Sequence, residues 1–328
     1  MNSKVTVVMY HYVRDLENSR FPEIKGLDIQ LFKEQIAYLK SMYSIITMEQ
    51  LIEAAEGKII LPDRAALLTF DDAYIDHYTY VFPVLVENEI QGSFFPPGKA
   101  ITEHTVLDVN KIHHILASCK DKHKLVDDIY ELLDQYRDKY NLNSNEYYYN
   151  KLAVPNRFDT GEVIFIKRML QVELQEELRR KLSDFLFEKY VGMSEASFSR
   201  ELYMSVEQIK IMKRFGMHIG SHGYDHYWLN SLSREQQRFE IEKSIEFIKC
   251  VGGSTESWTM CFPYGGFNED TLELLTEYKC KAAFSTNVDI ADIKNENRLT
   301  LSRLDTNDLP KDRNAKENTW LDKVVNSK

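Results

Sequence analysis

Short apolar runs that stop on polar, chemically capable residues constrain this chain more than any other feature. Residues 5–10 run into His11, residues 65–70 into Asp71 and Asp72, and residues 92–95 into Pro96 and Pro97. Each run is rich in β-branched or aromatic residues and too short for a helix, so each reads as a strand. Helical spacing fills the gaps. Phe32, Ile36 and Leu39 recur on one face of 32–42, residues 48–56 run to a stop at Gly57, and 80–88 reads as a helix opened by Pro83. The alternation returns near residue 205, with helices over 205–215, 234–250 and 269–278 between strands at 217–221, 258–262, 282–285 and 299–303. Repeated strand–helix units make parallel strands with helical crossovers. Seven strand candidates, none followed by a Gly-x-Gly-x-x-Gly turn, point to an α/β fold of the incomplete (β/α)7 barrel kind rather than a doubly wound sheet.

Residues 107–200 break this rhythm. They are rich in Leu, Glu, Lys, Asp and Tyr, with helical periodicity over 129–140 and 162–190 and few turn signals besides Pro155 and Gly161. The chain thus divides into a first half-barrel (1–104), a helical insertion (105–202), a second half-barrel (203–310) and a polar, frayed tail (311–328). The insertion is expected to act as a lid, or as the contact through which two copies associate.

Composition removes several classes of function. The 328 residues carry 51 acidic and 41 basic side chains, a net charge of −10, which is a poor footing for gripping nucleic acid or anionic lipid. The cysteines at 119, 250, 261 and 280 form no Cys-x-x-Cys pair and no zinc-ribbon spacing, so they read as free thiols of a reducing compartment. The N-terminus has no basic segment followed by a cleavage site, and no apolar run nears the roughly 20 residues that span a bilayer. The expectation is a cytoplasmic protein without a transmembrane segment.

The active groups of a parallel barrel gather where its strands run out. Here those ends hold His11, Asp71–Asp72, His222–Gly223–Tyr224–Asp225–His226, Cys261–Phe262–Pro263–Tyr264 and Arg303. His222 and His226 are spaced so that one helical turn would point both imidazoles at one ion. A carboxylate from Asp71 or Asp72 completes a two-histidine, one-carboxylate site for a divalent metal. The other aspartate is then placed to take a proton from an attacking water, which implies metal-assisted hydrolysis of an amide or ester.

TFDD at 69–72, SHGYDH at 221–226 and FPYGG at 262–266 resemble, in order, the first three motifs of the polysaccharide deacetylase family (NodB homology, carbohydrate esterase family four). MYHYV at 9–13 is similar to the start of its biofilm poly-N-acetylglucosamine branch. The resemblance covers residues 4–100 and 203–306. It implies a barrel of NodB type with Asp71 as catalytic base, and Asp72, His222 and His226 as ligands of a divalent metal, usually zinc. It also implies a backbone N–H of Tyr264 that polarises the acetyl carbonyl, and an N-acetylated sugar or glycan as substrate.

There are departures from the pattern. Cys261 stands where the family often has an arginine, and Arg303 is the candidate to supply that cation. No histidine follows His226, so the general acid falls to His11 first and to His114 of the KIHH segment second. Two rival functions remain: cleavage of another amide C–N bond on the same site, and an inactive barrel that only binds glycan. His218 is expected in the core, with His77, His104 and His123 solvated. Tyr10, Tyr12, Tyr224 and Tyr227 are candidates for a sugar-stacking platform and Trp228 for the rim; Tyr147 to Tyr149 are placed either there or in the core of the insertion.

Overall fold

The computed structural model describes residues 2–156 and 159–325. Its contacts divide the chain into two compact units, one of residues 1–16, 25–105 and 199–328, the other of 17–24 and 106–198.

The first unit is (β/α)-barrel-like. Lys4–Tyr10 and Ala65–Asp71 pair in parallel along five residues, Tyr10 falling beside Phe70. Ser93–Phe95 adds to Ala65–Asp71, and His218–Ile219 to Ser93–Phe95, both parallel. A bridge between Ser221 and Met260 leads to the parallel pair Thr259–Cys261 and Ala282–Phe284, and a bridge from Phe284 reaches Leu301. Leu304–Asp305 then pairs in parallel with Lys4–Tyr10, so the succession of neighbours returns to its start. One short segment, Ala291–Asp292, runs antiparallel to the beginning of Lys4–Tyr10.

Period-two alternation divides each strand between two cores. Val5, Val7, Ala65, Leu67, Phe95, Cys261, Phe284 and Leu301 pack into one cluster. Trp258, Met260, Phe262 and Ala283 turn the other way, against Ile241, Ile248, Leu274 and Leu275 of the helices Arg234–Cys250 and Glu269–Glu277. These helices begin at capping boxes, Ser233 with Gln236 and Asn268 with Thr271, which satisfy amides at each N-terminus.

The structure corrects several sequence expectations for this unit. The last strand is Leu304–Asp305 rather than 299–303, where Leu301 makes only an isolated bridge. The 311–328 segment is not simply a frayed polar tail. Thr319–Val325 is a helix with Leu321 and Val324 buried, and Asn318 caps it while bonding the hydroxyls of Tyr38 and Tyr43; residues 326–328 lie outside the described residues. His77 is fully buried rather than solvated, because its Nε2 hydrogen-bonds the carbonyl of His11 at 2.8 Å beneath Phe70 and Tyr74. Tyr10 and Tyr12 are likewise core rings, stacked on Phe70 and Tyr74, and so are no platform for a sugar.

The second unit is helical in its described residues. Asp108–Ser118, Lys122–Tyr140, Gly161–Arg168 and Glu176–Val191 bury Ile112, Ile115, Leu125, Ile129, Leu133, Phe165, Leu178, Leu182 and Leu186. The expected helix over 162–190 is broken: a wider turn at Met169–Glu173 is followed by Leu174 in an extended conformation. His114 is packed between Phe21 and Phe198 as a core ring of this unit. No helix of the described residues is long and apolar enough to cross a membrane.

Candidate active site

Ala65, Leu67, Thr69 and Asp71 alternate onto one face of their strand, and the first two lie in the cluster with Cys261 and Leu301. Thr69 and Asp71 continue that row, and Arg303 follows two residues after Leu301. The result is a buried ion pair. Arg303 Nη1 lies 2.8 Å from Asp71 Oδ2 and donates to Oδ1 at 3.1 Å, the two side chains being 0% and 1% exposed. Nη1 also reaches Thr69 Oγ1 at 3.3 Å and Cys261 Sγ at 3.1 Å, and Nε donates to the Ser285 carbonyl at 3.0 Å.

Arg303 therefore stands against the carboxylate where its sequence position made it a candidate, and Cys261 touches the same guanidinium. Burial pushes the Asp71 carboxyl upward, but Arg303 and then His222 outweigh it and hold the group below its ordinary range. Burial pushes the Cys261 thiol well up, so the sulfur stays neutral. No hydrogen-bond donor is aligned on Asp71 Oδ2, which leaves that oxygen able to take a proton.

After Asp71 the chain turns sharply. Asp72 and Ala73 both adopt the left-handed conformation, at φ 71° and 55°. Such backbone costs about 1 kcal/mol or more per non-glycine residue. Of the nine non-glycine residues with positive φ among those described, Asp72, Ala73, His226 and Tyr264 all belong to this site, so strain is concentrated here.

The turn aims Asp72 at two histidines. Its Oδ1 lies 3.5 Å from His222 Nε2 and 3.3 Å from His226 Nε2, and it accepts no hydrogen bond. Its Oδ2 accepts a 2.6 Å hydrogen bond from the Tyr74 hydroxyl. Burial pushes Asp72 upward too, but His226 and His222 prevail and keep it a carboxylate.

His222 and His226 do not converge through a helical turn. The segment is a loop that reverses at Gly223, φ 74°, and again at His226, φ 55°. Glu240 clamps it by accepting from the amides of Tyr224 and Asp225 at 2.9 Å each, and Lys99 pairs with Asp225 at 2.5 Å. The ring of His222 is fixed by Nδ1, which donates to the Cys261 carbonyl at 2.8 Å. Burial lowers His222 to about 4, so at neutral pH its Nε2 carries a lone pair.

These donors fit a divalent cation. One ligand atom from each of Asp72, His222 and His226 lies within 4.8 Å of the others, and all three side chains are buried. An ion about 2.1 Å from tetrahedral ligands separates them by about 3.4 Å, close to both measured oxygen–nitrogen distances. The orphaned Asp72 Oδ1 is the stronger sign, since a buried carboxylate oxygen without a partner is costly.

The other candidates are close by. Tyr10 sits beside Phe70, and His11 follows where that strand ends. The Tyr264 ring meets His226 edge to face at 4.7 Å. His218 is in the core, bonded to Thr259 Oγ1.

Tyr74 escaped the sequence reasoning; a tyrosine two residues past the aspartate pair was the available signal. Tyr74→Phe should leave the fold intact and weaken metal binding by roughly 10- to 100-fold, as loss of a ligand's supporting hydrogen bond does. Zinc titration against a chromophoric competitor measures this, and an unchanged affinity would assign Tyr74 to packing alone.

Fold and site together define a class: a (β/α)-barrel-like protein with an arginine-paired aspartate beside an Asp–His–His cluster. Residues 157–283 match the polysaccharide deacetylase family model, a segment holding His222, His226 and Tyr264 and beginning after the two aspartates. The chain is thus similar, over that segment, to the polysaccharide deacetylase family.

Over 93 residues it is 36% identical to the poly-β-1,6-N-acetyl-D-glucosamine N-deacetylase of Escherichia coli K12, a stretch covering 28% of this chain and 13% of that protein. Its fold resembles the Streptococcus pyogenes deacetylase PplD, solved with acetate, with a TM-score of 0.57 at 17% identity over 94% of both chains. It also resembles IcaB from Ammonifex degensii, with a TM-score of 0.54 at 17% identity over 92% of this chain and 91% of that one.

Proposed function

We propose that this chain is a metal-dependent hydrolase that removes N-acetyl groups from an amino-sugar glycan or glycan precursor. The observation that carries the reading is Asp71: a buried, ionised carboxylate on Arg303, one residue from a ligand cluster that fits zinc. Asp72, His222 and His226 would hold the ion. When bound, it supplies Lewis acidity toward the acetyl carbonyl and the attacking water.

The remaining work falls to side chains and backbone. Asp71 Oδ2 takes a proton from the water as its oxygen attacks the carbonyl carbon. Arg303 keeps that carboxylate ionised and in place. The Tyr264 backbone N–H donates to the carbonyl oxygen as charge develops there. His11 gives a proton to the departing amine, so the C–N bond breaks to acetate and a free amino sugar.

The aligned relative's name supports an N-acetylglucosamine substrate. Free thiols at all four cysteines support a reducing compartment, and the reading places the reaction in the cytoplasm, in the assembly of a surface polysaccharide.

Acetate release from N-acetylglucosamine oligomers tests the proposal. Release should vanish with a chelator and return on adding zinc or cobalt. Turnover that ignores the chelator would exclude the metal, and no release from any N-acetylated sugar would exclude the reaction.

A further inference from the structure

His77 is 0% exposed and lies among the rings of Phe70, Tyr74 and Phe94, with centroids 5.6 to 5.7 Å away. A leucine or phenylalanine would fill such a place without burying a polar atom. The imidazole instead leaves its Nδ1 buried with no hydrogen-bond partner, a cost that packing alone does not explain. Its Nε2 lies 2.8 Å from the His11 carbonyl oxygen. A carbonyl only accepts, so Nε2 carries the proton and donates it. Burial lowers the ring to about 4, so at neutral pH this is its single ring proton.

The bond joins two strand ends. Lys4–Tyr10 and Ala65–Asp71 stay paired as far as Tyr10 and Phe70. His11 comes next and belongs to no strand, so the ladder does not hold it. Asp71 ends the facing strand, and the chain then turns through Asp72 and Ala73 toward the wide helical turn His77–Val81. His77 opens that turn, its amide donating to the Tyr74 carbonyl at 2.9 Å. Its side chain thus grips the His11 backbone from the segment that follows Asp71 and Asp72. We propose that His77 is a positioning residue for the general acid: its Nε2–H fixes the His11 backbone, and with it the His11 ring, against the Asp71–Asp72 turn. This rests on the deacetylase reading, in which His11 gives the departing amine its proton. The demand is geometric, since a misplacement of about 1 Å can cost on the order of a hundredfold in rate.

An amide releases its amine only with a proton, whereas an activated ester releases a phenolate that needs none. The test is therefore kcat and KM on an N-acetylglucosamine oligomer and on para-nitrophenyl acetate, with the full chain loaded with zinc. In His77→Leu, kcat on the amide should fall about 10- to 100-fold, with kcat on the ester and zinc affinity little changed. His77→Gln, whose side-chain N–H reaches as far as Nε2, should recover most of the loss. In His11→Ala, adding His77→Leu should cost nothing further, because the ring being positioned is gone. Parallel losses on both substrates, additive losses in the double variant, or an unchanged amide kcat overturns the proposal. A second measurement needs no turnover: nitrogen-correlated NMR should show one neutral imidazole protonated on Nε2 in wild type, its signal absent from His77→Gln. A His77 ring protonated on Nδ1 has no bond to His11 and overturns the proposal as well. No acetate from any N-acetylated sugar in wild type overturns the deacetylase reading and this proposal with it, whereas the variant outcomes above overturn this proposal alone.

Discussion

Asp71→Asn should lower acetate release by about a thousandfold while zinc still binds at one equivalent. The amide keeps the shape of the carboxylate but cannot take a proton from water. The proposed ligands Asp72, His222 and His226 are untouched, so the metal should stay. The same substitution takes the counter-charge from the buried Arg303 guanidinium, whose other partners are Ser285, Thr69 and Cys261, so some thermal stability is lost as well. Initial rates, metal content and melting temperature on one preparation separate these effects. A rate within tenfold of wild type would remove Asp71 from the role of base, and loss of zinc would make it a ligand.

Arg303→Met should be the most damaging single change to the fold. It leaves the buried Asp71 without its counter-charge, a loss of about 3–5 kcal/mol. For a chain of this size that lowers the melting temperature by on the order of 10 °C. Arg303→Lys should restore little, because one ammonium cannot reach Asp71, Thr69 and the Ser285 carbonyl as a planar fork does. Asp71→Leu combined with Arg303→Met removes both charges, and should melt well above Arg303→Met alone while remaining inactive. If the double variant is no more stable than the single one, the pair is not what holds this corner together. Calorimetry of the three variants beside wild type decides it.

What could be read beforehand follows from the range of the forces involved. Strand positions at 4–10, 65–71, 93–95, 259–261 and 282–284 are set by local alternation and turn residues, and these are visible in a single sequence. The polar residues at the strand ends were visible for the same reason, and the structure brings Asp71, Asp72, His222, His226, Arg303 and Tyr264 within contact of one another's neighbours. The details that depend on tertiary context were hidden. His77 sits in a stretch whose pattern looks half solvated, and only its bond to the His11 carbonyl explains its burial. The loop at 222–226 imitates a helical spacing, while left-handed residues at Gly223 and His226 make the convergence. The final helix went unseen because Asn318 and Arg313 look like tail residues until Tyr38, Tyr43 and Glu34 are placed opposite them. Tyr74 becomes a partner of Asp72 only once the backbone has turned at Asp72 and Ala73.

The most direct measurement titrates chelator-treated protein with cobalt or zinc, following bound metal and acetate release from an N-acetylglucosamine oligomer in the same sample. The account predicts that both rise together and saturate at one equivalent, and that His226→Ala shows neither at those concentrations. Full release from metal-free protein, or one tightly bound equivalent with no acetate from any N-acetylated sugar, would contradict it.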